Sequence, residues 1–218
     1  GDLEMDELLE RIVVEPYKSL MQKNILSKTI LVTGSGGSIG SELCKQIIKF
    51  NPKKIILLEI SEYALYSIHS KLEQVKSPEI DVIPLIGSVQ DVKRMEEVIS
   101  IWKPATIYHA AAYKHVPLVE QNLIEGLKNN VLGTYELAKL ASLYKVSNFV
   151  FISTDKAVRP TNIMGATKRL AELSLQALNH KNFRSNNYNN TTKFSIVRFG
   201  NVLDSSGSVI PKFREQIR

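Results

Sequence analysis

Six side chains within eighteen residues carry the chemistry this sequence can do. From Phe151 to Lys168 it reads F-I-S-T-D-K-A-V-R-P-T-N-I-M-G-A-T-K. Two hydroxyls (Ser153, Thr154), a carboxylate (Asp155) and an ammonium (Lys156) follow an apolar run, and Met164 and Lys168 fall at i and i+4 on one face of a helix. A strand that ends in polar, titratable residues and leads into a helix is where an open α/β sheet places its chemistry. The plainer alternative is a helix cap followed by a solvated charge pair.

A second group lies at the start of the chain. Thr33 opens T-G-S-G-G-S-I-G, between a β-branched run and a helical pattern. Gly34, Gly36, Gly37 and Gly40 let the backbone turn sharply and approach a pyrophosphate, while Ser35, Ser38 and Ile39 bring the free N–H groups of a helix start, whose dipole favours negative charge. Glu59, 25 residues after Gly34 at the end of the next strand, suits ribose hydroxyls and would repel a 2′-phosphate. That predicts NAD over NADP, with NADP still possible. No Lys-Ser/Thr pair follows the glycines, so this is not an ATP-type P-loop.

These groups need elements to hold them. The patterning predicts strands at 29–32, 55–58, 81–86, 106–109, 148–152 and 194–197. Helices are predicted through Phe50, from a Ser61 cap to Val75, from an Asp91 cap to Trp102, unbroken from Val119 to Tyr144, from 163 to about 179, and from Pro211. Strands of about five residues alternating with helices signify an α/β fold, a Rossmann-type doubly wound parallel sheet. Residues 1–28 read as a lead-in arm or linker that packs on the domain or on a partner, and residues 180–192 as an exposed asparagine-rich loop.

With 44% hydrophobic and 23% charged residues the composition is that of a soluble globular protein. One cysteine, Cys44, rules out a disulfide framework and points to a reducing compartment. The sequence contains neither an apolar run of about 18 residues nor a signal-peptide pattern at its start. The net charge of +6 comes without an aromatic-interleaved basic run, so the expectation is a solvated basic face and no nucleic-acid partner. His/Cys/carboxylate spacings suitable for a metal are not seen.

The motifs resemble a known family. T-G-S-G-G-S-I-G is similar to the glycine loop of extended short-chain dehydrogenases/reductases, H-A-A-A (109–112) to their fourth-strand segment, and N-V-L-G-T (130–134) to a helix motif. A-A-A-Y-K-H-V-P-L-V-E (110–120), S-T-D-K-A (153–157) and R-F-G-N-V-L-D-S-S-G-S-V-I-P (198–211) resemble the large, membrane-tethered bacterial UDP-N-acetylglucosamine 4,6-dehydratases of capsule and O-antigen synthesis. The resemblance covers residues 29–218. It implies a cofactor-binding Rossmann domain whose C-terminal substrate lobe is truncated, in the cytoplasmic part of an inner-membrane protein. Membrane contact would come only through segments outside this chain, and the full-length protein would be a homo-oligomer.

The reaction implied is elimination of water from a UDP-N-acetylhexosamine to give a UDP-4-keto-6-deoxy sugar, with NAD(P) taking and returning a hydride. Asp155 is then the acid at the C6 hydroxyl and Lys156 the base at C5, provided that burial and neighbouring lysines depress it. Thr154 holds the C4 oxygen, and Ser153 occupies the active-site serine strand. Lys168 is the lysine of the usual triad, and Asn130 fixes main chain near it. Ser88, Val89, Ala110, Ala111, Ala112 and Lys114 line the cofactor. Lys114, His115 and Asn201 touch substrate, with His115 alternatively a packed turn residue. His109 points into the sheet edge. Two departures stand out: Met164 replaces the triad tyrosine, and Gly87-Ser88-Val89 lacks the acid that many relatives use near adenine. Two rivals stay open, a UDP-sugar 4-epimerase or reductase on the same fold and a non-catalytic dinucleotide-binding scaffold, the latter favoured by Met164.

Overall fold

The computed structural model describes residues 18–184 and 192–200. Its centre is a six-stranded, all-parallel sheet in the order β3-β2-β1-β4-β5-β6. The strands are β1 (Thr29–Thr33), β2 (Lys54–Glu59), β3 (Asp81–Ile86), β4 (Thr106–His109), β5 (Asn148–Thr154) and β6 (Lys193–Phe199). The chain builds outward from β1 to β3, then returns to lay β4 on the other side of β1. Both β2 and β4 pair with β1, with Ile30 opposite Ile55 and Thr106. Connections therefore diverge above β1 and β4, and a crevice opens at the carboxyl edge, as expected of a doubly wound sheet.

The central strands are apolar on both faces, because helices cover both sides of a parallel sheet. Leu31, Ile56, Ile107, Phe149 and Phe151 belong to one core, and Ile30, Val32, Ile55 and Leu57 to the other. Each such side chain, buried completely, contributes about 1.5–3 kcal/mol of transfer free energy.

Helix α1 (Lys18–Ile25) ends the lead-in, and its Ile25 is wholly buried in the second core, so this end of the arm packs on the domain. The helix α2 (Ser38–Ile48) follows the glycine loop and buries Cys44, whose thiol burial pushes well up. Ser61 and Asp91 do cap α3 (Glu62–Val75) and α4 (Val92–Trp102), accepting from the N–H groups of Ala64 and Arg94. β5 runs through Ser153 and Thr154, two residues past the predicted end. The final described helix, α8 (Ile163–Arg184), is longer than expected, so the first five residues of the predicted exposed loop are helical. The predicted helix from Pro211 lies outside the described residues.

One prediction fails. The single helix expected over Val119–Tyr144 starts earlier and is broken. It comprises α5 (Val116–Gln121), α6 (Leu123–Leu127), a π-helical turn at Lys128–Gly133, and α7 (Thr134–Leu143). Asn122 leaves the helical region at φ −131°, ψ 52°. The widened π turn carries Asn129 and Asn130, which are both buried although adjacent in sequence. π turns of this kind are frequent at functional sites.

Candidate functional site

The carboxyl ends of β1, β2, β4 and β5 border one cleft of about 650 Å3. The glycine loop and Glu59 form one wall, Gly87-Ser88-Val89 and Ala110–Ala112 lie beside them, and Ser153, Thr154, Lys156, Met164 and Lys168 form the far wall. The two stretches singled out in the sequence, over a hundred residues apart, thus meet across the sheet's point of reversal.

The loop wall is built for close approach. Gly34 has φ +65°, and a Cβ there would sit 2.7 Å from the backbone of Ala111. A Cβ on Gly40 would run into the carbonyl oxygen of Gly34. Only hydrogen fits at either place. α2 starts at Gly37 without a side-chain cap, so the N–H groups of its first turn are left at the cleft with the positive end of the dipole. Ser35 departs from expectation: it is fully buried, with its N–H and hydroxyl turned to the Leu58 carbonyl, and it does not line the cleft.

Glu59 organises the same wall. Its Oε2 accepts from Gly36 N–H at 2.9 Å, and its Oε1 accepts from Ile60 and Ser61 N–H at 3.0 and 3.2 Å. A carboxylate has about four acceptor sites. Three are taken by main chain, so holding both ribose hydroxyls would require one backbone bond to yield.

On the far wall the buried cation is Lys168. Its Nζ donates to the Ile152 carbonyl at 3.0 Å and stands 4.7 Å over the Phe151 ring. Burial pushes its pKa down to about 7, against a pull upward from Glu172. Lys156 is placed differently: its side chain is 37% exposed and its Nζ lies 3.8 Å from Asp155. Asp155 itself does not line the cleft; it stands at the rim, 61% exposed. Thr154 caps the short turn Asp155–Ala157 by accepting from Lys156 N–H, and its hydroxyl donates to Asp155 Oδ1 at 3.0 Å. Met164 is buried on the cleft wall, one helical turn before Lys168.

Ser153 does not offer its hydroxyl to the cleft. It donates to Glu172 Oε1 at 2.7 Å. Glu172 is fully buried in α8 and also accepts from Arg169 and, through both oxygens, from Arg198 of β6. Burial alone would raise its pKa, but the bonds from Arg198, Ser153 and Arg169 outweigh it and hold the carboxyl at about 2. The sequence reading missed this residue. Its spacing of i+4 from Lys168 is a visible signal, but two of its partners, Ser153 and Arg198, lie on strands distant in sequence.

Asn130 holds main chain near Lys168, as the resemblance implied. It does not line the cleft; its amide accepts from Tyr113 N–H and donates to the Tyr113 carbonyl and to Thr167 Oγ1, pinning the chain beside Lys168. The neighbouring Asn129, which was not predicted, is the one on the cleft. Lys114 lines it too, with Nζ 3.3 Å from Ser38 Oγ and its pKa lowered by burial, and His115 borders it at the start of α5. His109 is not at the sheet edge. It is fully buried, bonded to Thr33 and Thr134 at 2.6 and 2.8 Å, and stacked near Phe151. Burial, with Lys168 nearby, lowers its pKa to about 3. Asn201 lies outside the described residues.

Known proteins share this arrangement of sequence. The chain is 51% identical over 215 residues to the capsular polysaccharide biosynthesis protein CapD of Staphylococcus aureus, covering 99% of this chain and 35% of CapD. It is 34% identical over 194 residues to a Campylobacter jejuni protein named UDP-N-acetylglucosamine 4,6-dehydratase (inverting), covering 87% of this chain and 54% of that one. It is 32% identical over 194 residues to a Rickettsia bellii protein named UDP-glucose 4-epimerase, covering 88% and 54%. The X-ray structure of Pen from Bacillus thuringiensis superposes with a TM-score of 0.78 at 32% identity, over 89% of this chain and 58% of Pen. The chain thus spans about a third to a little over half of these relatives. A family model described as Polysaccharide biosynthesis protein matches residues 30–218, and with that span matched the chain belongs to the polysaccharide biosynthesis protein family.

Proposed function

We propose that this chain is the cofactor-binding and catalytic core of a nucleotide-sugar 4,6-dehydratase acting on a UDP-N-acetylhexosamine, UDP-N-acetylglucosamine being the first candidate, in surface polysaccharide synthesis. One observation carries the reading: a glycine loop fit for a pyrophosphate and a wall bearing Thr154, Lys156, Met164 and Lys168 share one cleft, with Asp155 at its rim. The dehydratase name of one relative and the capsule name of another support it.

The residues present fit a dinucleotide. Only hydrogen is tolerated at Gly34 and Gly40, the α2 start is uncapped, and Glu59 stands at the end of β2. Bound NAD would supply hydride acceptance and return. Glu59 would favour NAD over NADP by repelling a 2′-phosphate.

The chain's own side chains would do the proton work. As hydride leaves C4, the C4 hydroxyl proton passes to Asp155 through Thr154 or a water, and the Lys168 cation stabilises the developing alkoxide. Thr154 orients that oxygen. Lys156, on the cleft wall, removes the C5 proton, and Asp155, reaching in from the rim, gives a proton to the departing C6 hydroxyl. Met164 has no proton to move and fills space by the sugar and nicotinamide.

The epimerase reading is favoured by the name of the Rickettsia bellii relative. Incubating the full-length protein with UDP-N-acetylglucosamine and NAD separates the readings. Loss of one water by mass supports dehydration. An unchanged mass with inverted C4 supports epimerisation, and an unchanged sugar supports a scaffold.

A further inference from the structure

The edge of the sheet opposite the cleft is charged unlike the rest of the described residues. In a doubly wound fold the strands start, and the helices between them end, on the same edge. Six exposed lysines stand there: Lys23 in the last turn of α1, Lys49 and Lys103 at the C-caps of α2 and α4, Lys53 and Lys193 at the starts of β2 and β6, and Lys145 just past α7. Half-buried Lys28, Lys54 and Lys76 bring the number to nine. Main-chain bonds bind these positions into one rim, from Lys53 to Lys28, from Asp81 to Lys53, from Asn148 to Ala105 and from Lys193 to Ser147.

Three carboxylates face them: Asp81, bound to Lys54 at 3.1 Å, Glu73, 3.8 Å from Lys76, and Glu79. All three lie on or beside β3 and α3, so the rim from β1 to β6 has no counter-charge among the described side chains. Over the remaining described side chains twelve cations meet eleven carboxylates. The net charge of the described domain is thus gathered on one edge. Single C-terminal lysines serve the helix dipole, but that does not account for Lys28, Lys53, Lys54 and Lys193, which precede or begin strands.

Exposed apolar side chains alternate with these lysines. Leu26, Val75, Ile101 and Leu143 are all exposed, and each lies one or two residues before a lysine of the rim. Lysines interleaved with exposed aliphatic side chains are the composition of a surface that sits at lipid headgroups. The face lacks what a nucleic-acid surface uses. It carries no arginine fork among the described residues, and its one indole, Trp102, is covered by Lys54 at 5.6 Å. The chain also enters the sheet here, through Lys28 into β1.

We infer that this lysine-rich edge is a docking face for an anionic lipid surface. Docked so, the domain holds its cleft about 15–20 Å from the headgroups, one strand length away and open to soluble sugar nucleotides. The inference is independent of which reaction the cleft performs.

Co-sedimentation of the 218-residue chain with vesicles tests it. Binding is expected to phosphatidylcholine vesicles containing phosphatidylglycerol, falling steeply as salt rises from about 0.05 to 0.3 M, and not to phosphatidylcholine alone. Each lysine near an anionic surface is worth about fivefold in partitioning. The variant Lys53→Gln/Lys103→Gln/Lys145→Gln/Lys193→Gln should therefore bind at least about a hundredfold less. The equally discharged Lys45→Gln/Lys71→Gln/Lys93→Gln/Lys139→Gln should stay within about fivefold of the parent, and thermal melts check that both fold. Ile101→Ser/Leu143→Ser, which keeps every charge, should weaken the binding left at high salt. Three results would overturn the inference: no partitioning onto phosphatidylglycerol, equal losses in the two lysine variants, or tighter, face-dependent binding to a DNA duplex at the same salt.

Discussion

Ser153 turns its hydroxyl away from the cleft and donates it to Glu172 at 2.7 Å, while the carbonyl of the preceding residue, Ile152, holds the Lys168 ammonium. Successive residues of β5 thus grip two residues of α8 that lie one helical turn apart. Lys168 is held in the cleft by a main-chain acceptor, while the buried carboxylate one turn on ties α8 to Ser153 of β5 and to Arg198 at the end of β6.

Glu172→Gln should destabilise the fold by about 2 kcal/mol, because Ser153, Arg169 and Arg198 lose a charged acceptor in a buried place. The pH dependence has a definite sign. The folded pKa of about 2 lies below the ordinary 4.5, so the carboxylate's contribution is complete above pH 4.5 and is lost as pH falls from 4.5 toward 2. Urea melts at pH 7 and pH 3 should show the wild-type advantage shrinking at pH 3. An equal gap at both would mean that the carboxylate is not charged in the fold.

Lys168 should titrate near neutrality before any ligand binds. Its folded pKa of about 7 lies below the ordinary 10.5, so the unfolded chain holds the extra proton between these values. Wild type should then gain stability relative to Lys168→Met as pH rises from 7 to 10.5, and no further change from this group is expected below pH 7. NMR titration of the labelled lysine Cε resonance reads the value directly; a midpoint near 10 would contradict the desolvated site.

Gly34→Ala should cost about 1–3 kcal/mol, since the substitution is strained at φ +65° and its methyl group meets the Ala111 backbone. Dinucleotide affinity, measured by calorimetry, should fall at least about tenfold because the loop must shift. Unchanged affinity would separate this loop from the binding site.

On the dehydratase reading, in the full-length protein, Met164→Leu should lower kcat only modestly, as near-isosteric swaps usually cost under about 1.5 kcal/mol of packing. Asp155→Asn and Lys168→Met should each cost about a hundredfold or more. Steady-state rates on folded variants decide it. A near-wild-type Asp155→Asn would remove Asp155 from the acid role, which its exposed place at the rim already makes dependent on substrate binding.

Much of this protein follows from its sequence alone, because the relevant physics is local. Apolar runs of strand length, Ser61 and Asp91 as caps, and four glycines between β1 and α2 are short-range signals. They led to the parallel doubly wound sheet and to the two stretches that meet in the cleft. Tertiary structure decided what depends on neighbours distant in the chain. Lys156 and Lys168 read alike in sequence, yet packing buries Lys168 and leaves Lys156 and its neighbour Asp155 partly in water. Ser35 and Ser153 read as site residues, but the acceptors that claim them, Leu58 and Glu172, belong to other elements. The π turn that carries Asn130 is tied to Tyr113 and Thr167, contacts that no helical periodicity encodes. Burial and pairing across strands are properties of the assembled sheet, and they set the charge of each group in the cleft.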